Sequence, residues 1–284
     1  MLLRNLMLQW FRQTAQEQLT RAARHQSSSS EETGEERHVE IAIVFPTQVE
    51  AGGSIDQLEN AATIQSDTII EHLGTWHGRP VVVAEVGTGR ETTAQAVETL
   101  ISLRRPIWLI AAGFASSLQA EVKLGHILLP DQIQADGHPT ISVDLVADPG
   151  EIQQTPNLHS GSLITTEQPL RKPSERRLLA EQSGAVAYEL ESHGIATACQ
   201  QQGTRMIATY ILTESVETEL PSDLEQLLGQ SSLSAKLGAA AGALWNRPSV
   251  AANLWQLHEQ TLRSSDRLAR FLAGIVTQLS STSR

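Results

Sequence analysis

Five short segments of this chain are apolar almost without interruption: Glu40-Ile-Ala-Ile-Val-Phe45, Val81-Val-Val-Ala-Glu-Val86, Ile107-Trp-Leu-Ile-Ala-Ala112, His126-Ile-Leu-Leu129 and Met206 to Thr213. Side chains of a strand alternate between its two faces, so a strand that is apolar at every position needs a cover on both sides. Between these runs lie stretches of helical periodicity, over Glu91 to Leu103, about Pro173 to Gln182 and Glu189 to Gln202. Strands alternating with helices predict an α/β protein, a mixed central sheet flanked by helices on both sides.

The flanks of this core read differently. Residues 1–25 place Leu3, Leu6, Met7, Trp10 and Phe11 at helical spacing, which predicts an N-terminal amphipathic helix. Its arginine-rich, acid-poor flank suits docking on a partner or a membrane surface, and packing on its own domain fits equally well. Arg4 and Asn5 break the apolar run too early for a secretory signal. Residues 26–38 contain Ser27-Ser-Ser-Ser-Glu-Glu-Thr-Gly-Glu-Glu-Arg37, which has nothing to build a core and reads as a flexible polar linker. The α/β domain is then expected over residues 39–220. Residues 221–284 show no strand signal and read as a helical extension packed on the core. Ser222-Asp-Leu-Glu225 is a capping box, Asn246-Arg-Pro248 interrupts the helical pattern, and a last helix over about Ser249 to Leu279 carries Leu254, Leu257, Leu262, Leu268, Phe271, Leu272 and Ile275 on one stripe.

A formal net charge of -11 over 284 residues argues against a nucleic-acid partner, which would need a basic face, and leaves a small molecule or another protein. Cys199 is the only cysteine, which excludes an intramolecular disulfide and fits a reducing, cytoplasmic setting. None of the nine histidines has the spacing that puts two metal ligands on one face, so no metal is implied.

Three segments could carry chemistry. The strand ending at Val86 runs into Gly87-Thr-Gly-Arg-Glu-Thr-Thr-Ala94, where Gly87 and Gly89 would let a ligand approach the backbone and a helix N-terminus follows. Thr88 and Glu91 also form a capping-box pattern, so a plain tight turn explains part of it. A dinucleotide fingerprint fails here, because Thr92 replaces its third glycine and the strand ending at Ala112 carries no acidic residue. The second segment, Ala111-Ala-Gly-Phe-Ala-Ser-Ser117, puts small residues at a strand's carboxyl end, where open α/β sheets bind ligands. In the third, Glu189-Leu190-Glu191-Ser192 and Glu214 set acidic groups at opposite ends of a helix–strand unit, and such carboxylates are costly to bury unless paired or used. Each has a purely structural reading as well. Glu50 completes a capping box with Thr47, Glu191 suits a helix start, and Glu214 could be a solvated loop acid. His126, His193 and Cys199 read as structural.

Taken in order, these pieces resemble the nucleoside phosphorylase superfamily, most nearly its 5'-methylthioadenosine/S-adenosylhomocysteine nucleosidase branch. The resemblance rests on the first strand with Glu50 after it, the Gly-x-Gly loop, Ala-Gly-x-Ala-Ser, Lys-Leu-Gly-His-Ile-Leu-Leu-Pro, Glu-Leu-Glu-Ser and the Leu-Thr-Glu strand end, over residues 39 to 220. It implies a three-layer sandwich and hydrolysis of the N-ribosidic bond of a purine nucleoside or 5'-substituted (thio)adenosine, without cofactor, in a homodimer. It also implies the following roles. Glu50 activates water, Glu191 holds the ribose hydroxyls, and Glu214 protonates the leaving base. Glu189 and Leu190 belong to the sugar pocket, with Leu190 where a methionine is usual. Ala115 and Ser116 flank base and sugar, and Thr165 backs the base. Gly87, Gly89 and Arg90 form the loop, with Arg90 a phosphate ligand if the enzyme is instead a phosphorylase. Three positions depart from the family pattern: Glu rather than Asp at 214, Phe45-Pro-Thr47 after the first strand, and Phe114. The two phenylalanines are expected to reshape the pocket, so a catalytically weakened nucleoside-binding protein is the further alternative.

Overall fold

A computed structural model describes residues 38–218 and 248–281 of the chain, with the side chains of the last helix described from Glu259 to Leu279. The expected N-terminal helix and linker, and the capping box at Ser222, lie outside the described residues.

The strands are β1 (Ile41–Phe45), β2 (Glu59–Gln65), β3 (Ile70–Trp76), β4 (Arg79–Glu85), β5 (Trp108–Ser117), β6 (Ile127–Ala135), β7 (Ile141–Ser142), β8 (Leu158–Thr165), β9 (Ala187–Glu189) and β10 (Arg205–Glu214). The helices are α1 (Gln48–Ile55), α2 (Arg90–Arg104), α3 (Pro149–Gln154), α4 (Pro173–Ser183), α5 (Ser192–Gln202) and α6 (Pro248–Ser281). Strands β1, β4, β5 and β10 run parallel, while β2 and β3 extend the edge beyond β4 as antiparallel neighbours. On the other side β10 pairs with both β5 and β6, and β8 and β9 complete a ring back to β5. The sheet is therefore mixed and closes on itself at one end.

The double-sided burial read from the apolar runs follows directly from the strand alternation. Ala42 and Val44 of β1 join Val82, Ala84, Leu109 and Ala111 under Val97, Leu100, Ile195 and Cys199 of α2 and α5. Ile41, Ile43 and Phe45 turn the other way, joining Val81, Val83 and Ile110 under Leu268, Leu272, Ile275 and Val276 of α6. These are the two cores of a three-layer α/β sandwich. No described helix is long and apolar enough to cross a membrane.

Several elements differ from expectation. Strand β5 continues to Ser117, because the small residues after Ala112 pair with β10 as far as Ser116. Residues 111–117 are thus the strand's own carboxyl end, as the small residues indicated, and only its length exceeds the expected run. Glu189 ends strand β9, and the helix expected from Glu189 begins at Ser192. The box expected of Thr88 does not form, since α2 is capped by Gly89 with no side-chain hydrogen bond. Strands β2 and β3 carried no sequence signal. Residues 59–65 of β2 are almost all exposed, and a solvated edge strand has no need of an apolar run.

Candidate active site

Three carboxylates converge at the carboxyl ends of β1, β5, β9 and β10. Glu50 sits in the first turn of α1, immediately after β1. Its Oε2 accepts from the Thr47 hydroxyl at 2.6 Å, and its Oε1 accepts from the Phe114 N–H of β5 at 2.9 Å. The reciprocal capping box expected with Thr47 is not formed, since the Thr47 side chain caps no backbone N–H of α1; the Glu50 carboxylate instead bridges the helix start and β5. The residue is only 8% exposed, and burial pushes its pKa up to about 7 despite these hydrogen bonds.

The Glu189–Ser192 segment is folded around its own first carboxylate. Glu189 Oε2 accepts from the N–H groups of Glu191 and Ser192, each at 2.8 Å, and Oε1 accepts from the Thr165 hydroxyl at 2.6 Å. The Thr165 hydroxyl oxygen in turn accepts the His193 N–H at 2.9 Å. The N–H groups that a helix start leaves unpaired are thus taken up by two side chains from outside α5. Both oxygens of Glu189 take protein donors, so this residue shapes the turn that presents Glu191. Burial raises its pKa.

Glu191 is also buried, and its Oε1 accepts from the Gly89 N–H at 3.0 Å. That bond explains the glycine, since Gly89 has a φ of 89°, which L side chains rarely adopt. Burial raises the Glu191 pKa, and the neighbouring carboxylates of Glu189 and Glu50 raise it further. Beneath this cluster the buried Tyr210 and Ser192 hydroxyls bond at 2.6 Å. Desolvated carboxyls gathered in this way resist ionisation when the site is empty and gain most from a ligand that becomes cationic as it reacts. Among the described residues no group of three or more His, Cys, Asp and Glu side chains could hold a metal ion.

Glu214 ends β10 opposite Ser116, after a register shift that leaves Thr213 out of the ladder. Its side chain is 26% exposed and ion-paired with Arg176 of α4 at 2.6 Å, and Ser116 Oγ donates to the same oxygen at 2.8 Å. Arg90 is also engaged within the protein. Its guanidinium bonds Glu167 at 3.0 Å and His138 at 2.8 Å, while the backbone carbonyl of Arg90 lies against Gly194 of α5. Leu190 is half-buried and Ala115 buried beside these groups. Phe45, expected to reshape the pocket, instead faces the core beneath α6, and Phe114 packs against the same cluster. Its backbone N–H, not its ring, is what reaches Glu50. His193 bonds the Pro139 carbonyl and Cys199 is buried in the α5 core.

Arg176 was missed from the sequence, although a signal existed. It lies three and four residues before Leu179 and Ala180, which pack together on the inner side of α4, so a cation occupies an apolar stripe.

Comparison with known proteins extends this picture. The family model described as the phosphorylase superfamily matches residues 40–241. The chain is similar to a 5'-methylthioadenosine/S-adenosylhomocysteine nucleosidase of Marinomonas sp. (strain MWYL1), at 25% identity over 55% of this chain and 77% of that protein. A protein of the same name from Shewanella halifaxensis (strain HAW-EB4) is 20% identical over 67% of this chain and 92% of its own length. Among solved structures, the nucleosidase of that name from S. pneumoniae, with a transition-state inhibitor, aligns at a TM-score of 0.65 and 18% identity. That alignment covers 84% of this chain and 99% of the other.

Proposed function

The chain belongs to the phosphorylase superfamily, and we propose that within it the protein is a nucleosidase, an N-glycosyl hydrolase that cleaves the N-ribosidic bond of a purine nucleoside or 5'-substituted (thio)adenosine. The observation that carries this reading is the buried set Glu50, Glu189 and Glu191, drawn to one place by hydrogen bonds from Phe114, Thr165 and Gly89. Cleaving a ribosyl–purine bond develops positive charge on the sugar, and desolvated carboxylates stabilise that charge as it forms.

In this reading Glu191, with one oxygen held by Gly89, accepts the ribose hydroxyls. Glu50 takes a proton from the attacking water, and a base whose pKa lies near 7 is matched to work at neutral pH. The water oxygen bonds to the anomeric carbon while the carbon–nitrogen bond breaks. Its electron pair stays with the base, which takes the proton of the Glu214 carboxyl; Glu50 releases the proton taken from water to solvent, and solvent reprotonates Glu214. The relatives' names and the order of site residues along the chain support the same assignment.

The phosphorylase alternative needs an anion subsite. Arg90 is already engaged by Glu167 and His138, and a phosphate dianion would meet the charge of Glu50 and Glu191. Incubating the protein with adenosine and 5'-methylthioadenosine, with and without phosphate, separates the readings. Free base and free sugar in phosphate-free buffer are expected. Product only with phosphate would make it a phosphorylase, and tight binding without product would make it a nucleoside-binding protein. The same reading carries a cytoplasmic, cofactor-free homodimer, and sedimentation at micromolar concentration tests the dimer.

A further inference from the structure

A fully buried arginine is the least expected group near this site. Arg176 is 0% exposed on α4, an element outside the carboxylate cluster. Its Nη2 donates to Glu214 Oε2, and its Nη1 donates to the carbonyls of Ser215 and Thr218 just beyond β10. The guanidinium also lies 5.9 Å from the centre of the Tyr188 ring on β9. Its Nε is buried and has no hydrogen-bond partner among the described residues.

Stability is a poor account of this arrangement. Removing a guanidinium from water is costly, and a buried ion pair commonly does no better than apolar side chains of similar volume. Here the burial even leaves one donor unmatched. What the arrangement achieves is placement. Arg176 and Ser116 both donate to Oε2 of Glu214, and Oε1 takes no hydrogen bond among the described residues. The carboxylate is thereby fixed in rotation, with one oxygen held by the protein and the other left for a ligand. Glutamate has one more rotatable bond than aspartate, so it gains more from such a clamp. The extra residue at Thr213, a bulge that re-aims the strand end, completes the geometry.

We propose that Arg176 is a positioning residue for leaving-group departure: it clamps the Glu214 carboxylate so that Oε1 meets the departing base. The inference rests on the nucleosidase reading and goes beyond it by adding a residue that touches neither sugar nor base. Glu214 serves only a base that must gain a proton to leave. A leaving group that departs readily as an anion needs neither Glu214 nor its clamp.

The test compares a purine nucleoside with 4-nitrophenyl β-D-riboside, whose nitrophenolate leaves unprotonated, using Arg176→Met, Arg176→Lys, Glu214→Gln and the double variant Arg176→Met/Glu214→Gln. Arg176→Met is expected to lower kcat on the purine nucleoside by about tenfold or more, as displacement of a catalytic group by about an ångström does. Its turnover of the nitrophenyl riboside should stay within about twofold of wild type, which also reports that the variant is folded. Arg176→Lys should recover part of the loss. The double variant should be no slower than Glu214→Gln alone, because both substitutions disable one unit. Equal losses on both substrates, or losses that multiply in the double variant, would overturn the inference while leaving the nucleosidase reading intact. A wild-type protein that cleaves neither substrate would overturn both.

Discussion

Replacing Glu50 with Gln should make the ligand-free protein more stable, and increasingly so as pH rises. The Glu50 pKa is raised from its ordinary value of 4.5 to about 7, mainly by burial. The folded protein therefore holds this proton more tightly than the unfolded chain does. Below pH 4.5 the carboxyl is protonated in both states and contributes no pH-dependent term. Between 4.5 and 7 the unfolded chain ionises while the folded site resists, so stability falls with rising pH and then levels off above 7. Linkage puts the loss at about 3 kcal/mol at pH 8 and under about 1 kcal/mol at pH 5. Gln keeps the shape and an oxygen to accept the Phe114 N–H, while the Thr47 hydroxyl can turn to accept from the new amide. The Ser265 hydroxyl bonds the Glu50 backbone carbonyl and is untouched. Glu50→Gln should therefore gain about 3 kcal/mol at pH 8, or about 5–10 °C in Tm for a domain of this size, shrinking severalfold at pH 5. Urea denaturation of both proteins at pH 5, 6, 7 and 8 measures the difference directly. A gap that does not change with pH, or a variant less stable than wild type at pH 8, would refute the argument that the site holds a desolvated carboxylate.

In the proposed reaction the same group sets the pH dependence of turnover. The base must be ionised to act, so kcat/KM should drop about tenfold per pH unit below about 7, and a profile flat from pH 8 to 5.5 would remove Glu50 from that role. Glu191→Gln replaces an acceptor-only group with one that presents an amide to the ribose; kcat/KM should fall about a hundredfold or more, as loss of two charge-assisted hydrogen bonds implies, and a change under threefold would place the sugar elsewhere. In Gly194→Ala the new Cβ would stand 2.0 Å from the Arg90 carbonyl oxygen, forcing α5 away from α2; a loss of about 3 kcal/mol or more in denaturant unfolding is expected from such overpacking. Away from the site, Arg104 donates to Glu71 at 2.7 and 2.8 Å, with both groups buried. Glu71→Ala strands that cation and should cost about 3–5 kcal/mol with no specific effect on KM.

Sequence alone determined the layers. Runs such as Ile41–Phe45 and Val81–Val86 are apolar on both faces, and burial on both faces admits few architectures. It also marked Glu191 and Glu214, because acidic residues at the ends of an apolar helix–strand unit stand out against their surroundings, whereas Glu50 gained its role only through the resemblance. The hairpin strands gave no such contrast and were invisible: β2 is solvated, and β3, though largely buried, interrupts its apolar residues with Glu71, His72 and Gly74. Tertiary structure decided what each acid can do. Whether a carboxylate is desolvated, already satisfied or paired depends on groups far away in the chain: Phe114 for Glu50, Thr165 for Glu189, Gly89 for Glu191 and Arg176 for Glu214. It also turned Phe45 into the core and away from the pocket. Periodicity records which face a residue occupies. Protonation and reach depend on the three-dimensional field and packing around it, which no local pattern of residues contains.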